Sequence, residues 1–246
     1  MKQTFHLIVL RTVRHNERHD ILTAYTLEGG RMAFAVNAGR GRSASRARAL
    51  LMPLSLVECE ADVKAGREVH TLMQPRALVA LHGISCSPVK ATVTLFLAEV
   101  LEIVFRDGPA DRTVWRYVAE SITQFDALEA GRTANFHAVF LFGLARVLGI
   151  APDTGGYRSG MVFDMAEGVF RQTAPLHGHY LTAADSAAVV TLSRLTYGTM
   201  HCWRISRQER RRILEELLRY YTLHYAAMGN LCLLYTSPSP RDRQKS

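Results

Sequence analysis

The chain has 246 residues, is 48% hydrophobic and carries a formal net charge of +8. That length allows one large domain or two small ones with a substantial core, and no apolar run reaches the roughly 18 residues a bilayer crossing needs. The four cysteines, Cys59, Cys86, Cys202 and Cys232, contain no CxxC pair, which argues against both a disulfide framework and a zinc site.

The opening MKQTFHLIVLRTVR has a short apolar stretch, arginines at once after it and no small-residue cleavage site. It reads as a strand rather than a signal peptide, and the expected compartment is the cytoplasm. Apolar or alternating runs follow at 5–13, 20–27, 31–36, 54–63 and 68–73, with a tight-turn signal at Gly29-Gly30. Between the third and fourth runs lies GRGRSASRAR (39–48), read as a polar, glycine- and arginine-rich loop. Five short strands in so few residues predict a small closed barrel, and the OB-fold is the commonest five-stranded solution that binds oligonucleotides. The expected fold class is therefore α+β: an OB-fold domain at 1–78, joined through MQPRAL to a mainly helical domain at 79–231.

In the second part, Ser87-Pro88 is a cap with proline at the first helical position, and Val89, Val93, Phe96, Leu97, Val100, Leu101 and Val104 recur at helical spacing. A second helix is expected at about 111–128, and a third after Thr133, ending at Gly149. The glycine- and proline-rich stretch 150–181 reads as irregular, with a hairpin, MVFDMAEGVFR, turning near Glu167-Gly168. Thr182 with Asp185 and Ser206 with Glu209 fit capping boxes for two final helices. Ile213, Leu214, Leu217, Leu218, Tyr221 and Tyr225 form the expected buried stripe of the last. The final fifteen residues, CLLYTSPSPRDRQKS (232–246), break this periodicity; they resemble a translated adaptor, so a foreign tail in place of the natural end is expected and no function is assigned to it.

The charge is unevenly placed. Residues 1–50 hold nine Lys/Arg against three Asp/Glu, residues 232–246 hold three against one, and 51–231 sum to zero. A local positive field suits a polyanion, above all nucleic acid. Arg31, Arg40, Arg42, Arg46 and Arg48 lie in a stretch, 29–57, that contains no acid. Guanidinium forks match phosphate geometry, and the small residues among them let backbone approach a polyanion closely. Arg11, Arg14 and Arg18 are weaker candidates because Glu17 and Asp20 can pair with them. Phe34 reads as core rather than as a base-stacking ring, since it alternates with Met32 and Val36. Arg210, Arg211 and Arg212 read as a solvated face paired along the helix with Glu215 and Glu216.

GxSxG, P-loop, HExxH and strand-linked GxGxxG motifs are all absent, so no catalytic residue is expected. His177 and His179 flank Gly178, and His201 precedes Cys202, without a fourth ligand in reach of either group. Two other function classes stay open on these residues: an RNA-binding OB protein, and a hydrolase using His177, His179 and Asp164.

The run IVLRTVRHNERHDILTAYTLEGGRMAFAVNAGRGRSASRARALLMPLSLVE resembles the opening of the RecO family: a first strand ending in Arg-x-x-Arg, an alternating strand ending near Gly-Gly-Arg, and a basic stretch before a proline-marked strand. AEVLEIVF and FHAVFLFGLARVLGIAPD are similar to the family's helical part, so the resemblance covers about residues 3–228. It implies a non-enzymatic recombination mediator that binds single- and double-stranded DNA, anneals complementary strands and loads recombinase at gaps. The implied partners are RecR and the single-stranded DNA-binding protein, with no membrane and a nucleoid-associated place in the cytoplasm. Many members carry a four-cysteine zinc cluster in the segment corresponding to about 152–175; this chain has no cysteine there, so no cofactor is expected. If 232–246 are foreign they bury little, and deleting them should leave the melting temperature nearly unchanged; a large drop would make the tail part of the fold.

Overall fold

The computed structural model describes residues 2–39, 41–63, 66–106 and 108–225, without the side chains of 42, 43, 44 and 46. Arg40, Lys64 and the whole of the expected tail at 232–246 lie outside the described residues. The chain divides into two compact units between Thr133 and Ala134.

The first unit is built on a closed barrel with strand order β1-β2-β3-β5-β4, the OB-fold arrangement. The strands are β1 (Lys2–Arg14), β2 (His19–Thr26), β3 (Gly30–Asn37), β4 (Leu56–Asp62) and β5 (Val69–Ala77). All neighbours pair antiparallel except β3 and β5, which pair in parallel through Ala33–Val69 to Ala35–Thr71. Alternation sends Phe5, Leu7, Val9, Leu22, Ala24, Phe34, Val57, Cys59 and Ala61 into one core. Phe34 is fully buried, so it is a core ring, packed edge-on against Phe5 at 6.0 Å. At Gly30 the chain needs φ +69°, and a Cβ would meet the Ala110 amide nitrogen at 2.9 Å, so glycine is required there on both counts.

Two expectations are corrected. The stretch expected to be a loop at 39–48 is largely a helix, α1 (Arg42–Leu50). After Gly41 come nine residues without Gly or Pro and rich in Ala, Arg and Leu, all strong helix formers, and the neighbouring Leu51 enters the barrel core. The polar composition that suggested a loop marks an exposed helix surface. The fifth strand also runs to Ala77, through the expected linker. Its register shifts between Glu58 and Glu60 on β4, which places Gln74 (φ +48°) and Pro75 in a bulge where a missing N–H is tolerated.

Three further helices complete this unit: the single turn α2 (His82–Ser85), α3 (Pro88–Val104) and α4 (Arg112–Ala127). Ser87 caps α3 as expected, and Asp111 caps α4 through the Thr113 and Val114 amides. The buried Lys90, 5% exposed, donates from Nζ to the carbonyls of Asp126 and Leu128 at 2.7 Å each, capping the end of α4. The Asp126 carboxylate in turn accepts from the Ile84 amide at 2.7 Å, fixing α2.

The second unit holds α5 (Phe136–Val147), α6 (Ala183–Arg194), α7 (Arg207–His224) and a sheet ordered β7-β6-β8. Its strands are β6 (Val162–Asp164), β7 (Val169–Arg171) and β8 (Tyr180–Leu181), so the expected hairpin has gained a third strand. Ser206 and Glu209 form a full capping box on α7. On α6 the Thr182 hydroxyl accepts from the Asp185 amide, but Asp185, a methylene shorter than Glu, returns only to the Thr182 hydroxyl at 2.9 Å.

The hairpin turn is organised by Asp164, 1% exposed, which accepts from the Ala166 and Glu167 amides and from Arg171 Nε at 2.7 Å. His177 Nε2 lies 3.3 Å from Oδ1, the oxygen that accepts the two amides. Burial works to raise this carboxyl, but the hydrogen bonds from Arg171, Glu167 and Ala166, with the charge of His177, outweigh it and hold it below its ordinary value of 3.8.

Two outcomes follow from these contacts. Lys90→Met should cost on the order of 1–3 kcal/mol in urea unfolding, because two buried carbonyls lose their donor. Asp164→Asn should cost a similar amount near neutrality. The depressed carboxyl contributes stability that is complete above the unfolded value of 3.8 and is lost as pH falls through the lower folded value. Stability of the Asn variant should therefore decline less between pH 5 and 2 than that of the parent; equal declines would show that the Asp164 contacts carry no linkage.

Candidate nucleic-acid interface

Directly opposed residues in an antiparallel pair share a face, so the registers sort the barrel's side chains. Arg11, Thr23 and Ala33 form one row across the outside of β1-β2-β3; Val13, Ile21 and Ala35 form the next; Tyr25 and Arg31 form a third. A bulge between Val9 and Arg11 turns Arg11 outward beside the buried Leu10. Helix α3 packs on β1 at one end of this wall, where Phe105, just past its last turn, stacks on Tyr25 at 3.9 Å. Beyond that contact the wall is open: Val13 is 43% exposed, Arg11 and Arg31 are exposed, and Thr23, Ala33 and Ala35 are half-buried.

The two turns bordering this wall are basic. Asn16 folds the β1–β2 turn by accepting from the Arg18 and His19 amides, and the Arg18 carbonyl receives the Ala38 amide at 2.8 Å. Arg14 closes β1 opposite Asp20. In the β4–β5 connection, the exposed Arg67 stands two residues before Val69, just as Arg31 stands two residues before Ala33, and Val69 pairs with Ala33. Arg67 carries no local signal as a candidate, since Lys64 is its one basic neighbour and Glu68 follows it; the parallel pairing of β3 with β5 sets the start of the strand that follows it beside Ala33.

The β1-β4-β5 wall carries both signs, with Lys2 opposite Asp62 and the exposed Arg76 opposite Glu58. Glu58, Glu60 and Asp62 alternate outward along β4, and His6 bridges Glu28 at 2.6 Å and Glu58 at 3.7 Å. Burial pushes the Cys59 thiol up to about 12, and the charges of Glu28 and Glu58 act in the same direction.

The remaining candidates are distributed as follows. Arg48 is exposed and donates to the Gly39 carbonyl at 2.9 Å. Arg42 and Arg46 are one helical turn apart on α1, which reaches the barrel end through Leu51, whose carbonyl accepts from Thr12. Arg11 faces Glu102 of α3 at 3.6 Å. In the second unit the expected solvated triplet is partly corrected. Arg211 pairs with Glu215 at 2.8 Å as expected, but Arg212 reaches Asp185 on α6 at 2.8 Å. Arg210 is half-buried and donates to Asn135 at 2.9 Å and to the Ile205 carbonyl at 3.2 Å, because the position that follows Glu209 in the capped first turn faces the start of α5.

The structure does bring His177, His179 and Asp164 together, with the imidazoles 5.7 Å apart. Asp164 spends its oxygens on turn amides and on Arg171, so it is a structural anchor of the hairpin. The segment 152–175 contains no cysteine, and among the described residues no group of three or more His, Cys, Asp or Glu is placed to hold a metal. These residues do not fit a zinc ion.

Two family models match the chain: recombination protein O, N terminal, over residues 1–78, and recombination protein O, C terminal, over residues 87–229. The DNA repair protein RecO of Phocaeicola vulgatus is 35% identical over 218 residues, covering 88% of this chain and 90% of that protein. That of Porphyromonas gingivalis strain W83 is 36% identical over 222 residues, with the same coverage. That of Flavobacterium psychrophilum is 23% identical over 219 residues, again covering 88% of this chain and 90% of the relative. With an OB-fold barrel under the first model and a helical region under the second, the chain belongs to the recombination protein O family.

Proposed function

We propose that this protein is a DNA repair and recombination mediator that binds single- and double-stranded DNA through its barrel, anneals complementary strands and assists recombinase loading. In this reading residues 1–78 are the nucleic-acid-binding domain and 79–231 the helical domain. The observation that carries it is the open β1-β2-β3 wall edged by Arg11, Arg31 and Arg67; on the other side the carboxylates of β4 stand opposite the cations Lys2 and Arg76. The strand 2–3 face and the loops between strands 1 and 2 and between 4 and 5 are where OB-folds take oligonucleotides. Arg14 and Arg18 add positive charge at the β1–β2 turn, and the sequence adds Arg40, Arg42, Arg46 and Arg48 to the net charge of the domain. Annealing needs no catalytic residue: neutralising phosphates on two strands removes the repulsion that opposes pairing. Membership of the family supports RecR and the single-stranded DNA-binding protein as partners and a place at the nucleoid in the cytoplasm. Among the described residues, no helix is long and apolar enough to cross a membrane.

Two double variants test the reading. Each phosphate contact on a single strand contributes about 0.7 to the slope of log affinity against log salt. Arg31→Ala with Arg67→Ala should flatten that slope by about 1.4, and Arg42→Ala with Arg46→Ala should do the same if α1 contributes both contacts. Exposed substitutions of this kind cost within about half a kcal/mol of stability. Titrations of labelled DNA and RNA at several salt concentrations would measure this. Unchanged slopes in both variants, or binding to RNA alone, would overturn it.

A further inference from the structure

Oligonucleotide-binding barrels that hold single strands commonly stack bases on exposed aromatic rings, each stack contributing roughly 5- to 150-fold in affinity. Residues 1–78 contain three aromatic side chains, Phe5, Tyr25 and Phe34. All three are buried, Phe5 and Phe34 within the barrel and Tyr25 under Phe105. Trp115, from α4, lies against His6, on the β4 side of the barrel. The open wall presents Val13, Ile21, Thr23, Ala33 and Ala35 between its arginines: short side chains with no π face. Exposed rings border the wall at His15 and His19, in and beside the β1–β2 turn, at its edge rather than on it.

Resting on the reading that this wall binds DNA, we infer that it grips the sugar–phosphate backbone alone and leaves the bases turned outward and unstacked by protein. The arginines supply charge at the margins, and the low relief of alanine and threonine between them lets the backbone lie close. A strand held this way keeps its Watson–Crick edges free, so a complement can pair with it without first displacing it. It also removes base identity as a source of preference. A stacking platform behaves in the opposite way: it competes with the complement for each base and must release the strand before annealing.

The experiment compares the full chain's affinity for a 20-mer of thymidine, a 20-mer of abasic residues on the same phosphodiester backbone, and a mixed-sequence duplex of equal length, at one low salt concentration. The expected result is that thymidine and abasic strands bind within about twofold of one another, that Arg31→Ala with Arg67→Ala weakens both by the same factor, and that His15→Ala with His19→Ala leaves their ratio unchanged. A thymidine strand bound fivefold or more tightly than the abasic strand would overturn the inference while leaving the DNA-binding reading intact. A ratio that collapses only in the histidine variant would also overturn it, and would place stacking on the turn. Failure of all three nucleic acids to bind would overturn the inference together with the reading it rests on.

Discussion

Barrel closure is the constraint from which most of this protein's surface follows. Once β1 pairs with both β2 and β4, and β3 with β5, each strand position is committed to the inside or the outside. Phe5, Leu22, Phe34 and Cys59 fill the interior, so Arg31 and Thr23 have only the exterior, and Glu58 and Glu60 are forced out on the far side. The placing of Arg31 on the open wall, and of the β4 carboxylates opposite Lys2 and Arg76 on the other, is thus a consequence of the phase of five alternating strands, and it survives only while the registers do. A one-residue slip of β3 would send Arg31 inward and Phe34 out.

The two units meet the cost of buried polar groups in a common way. Lys90 is taken almost wholly out of water, which is expensive unless every hydrogen is used; its amine is spent on carbonyls at the end of α4, where the helix leaves acceptors unpaired. Asp164 is the mirror case: a buried carboxylate spent on two turn amides and a guanidinium. Its clamp orders the hairpin within a segment, 152–175, that contains no cysteine.

How much of this was legible in the sequence depended on the range of the interactions involved. Strand alternation, the Ser87 and Ser206 caps and the glycine turn at 29–30 are local, and the elements they mark stand where the pattern put them. Helix α1 was hidden because polar composition was given more weight than the run of helix formers between Gly41 and Leu51. The extension of β5 was hidden because Pro75 signals a break, and only a bulge opposite β4 makes it tolerable. The candidate site was legible in its charge but not in its geometry. The arginines of 40–48 stand out by composition along with Arg31, whereas the register relates the strand of Arg31 to the one that follows Arg67, 36 positions along the chain, which no local pattern connects. Arg210 was misread for the same reason, since its partner Asn135 is 75 residues away.

Register also ranks the arginines against one another. Arg11 stands on the open wall but 3.6 Å from Glu102, whose side chain is only 22% exposed. The pair itself is loose and contributes about 0–1 kcal/mol, so a phosphate can draw Arg11 away easily. What remains then is a half-buried carboxylate facing a polyanion, with its nearest counter-charge gone, and that repulsion offsets part of what the new contact contributes. Among the described residues no ion pair holds Arg31, and the residue opposite it is Tyr25, whose hydroxyl accepts from the Asp111 amide at 2.9 Å. Of two exposed arginines on one wall, Arg11 has an ion pair among the described residues and Arg31 has none, so in the reading of this wall as a DNA face Arg31 ranks above Arg11.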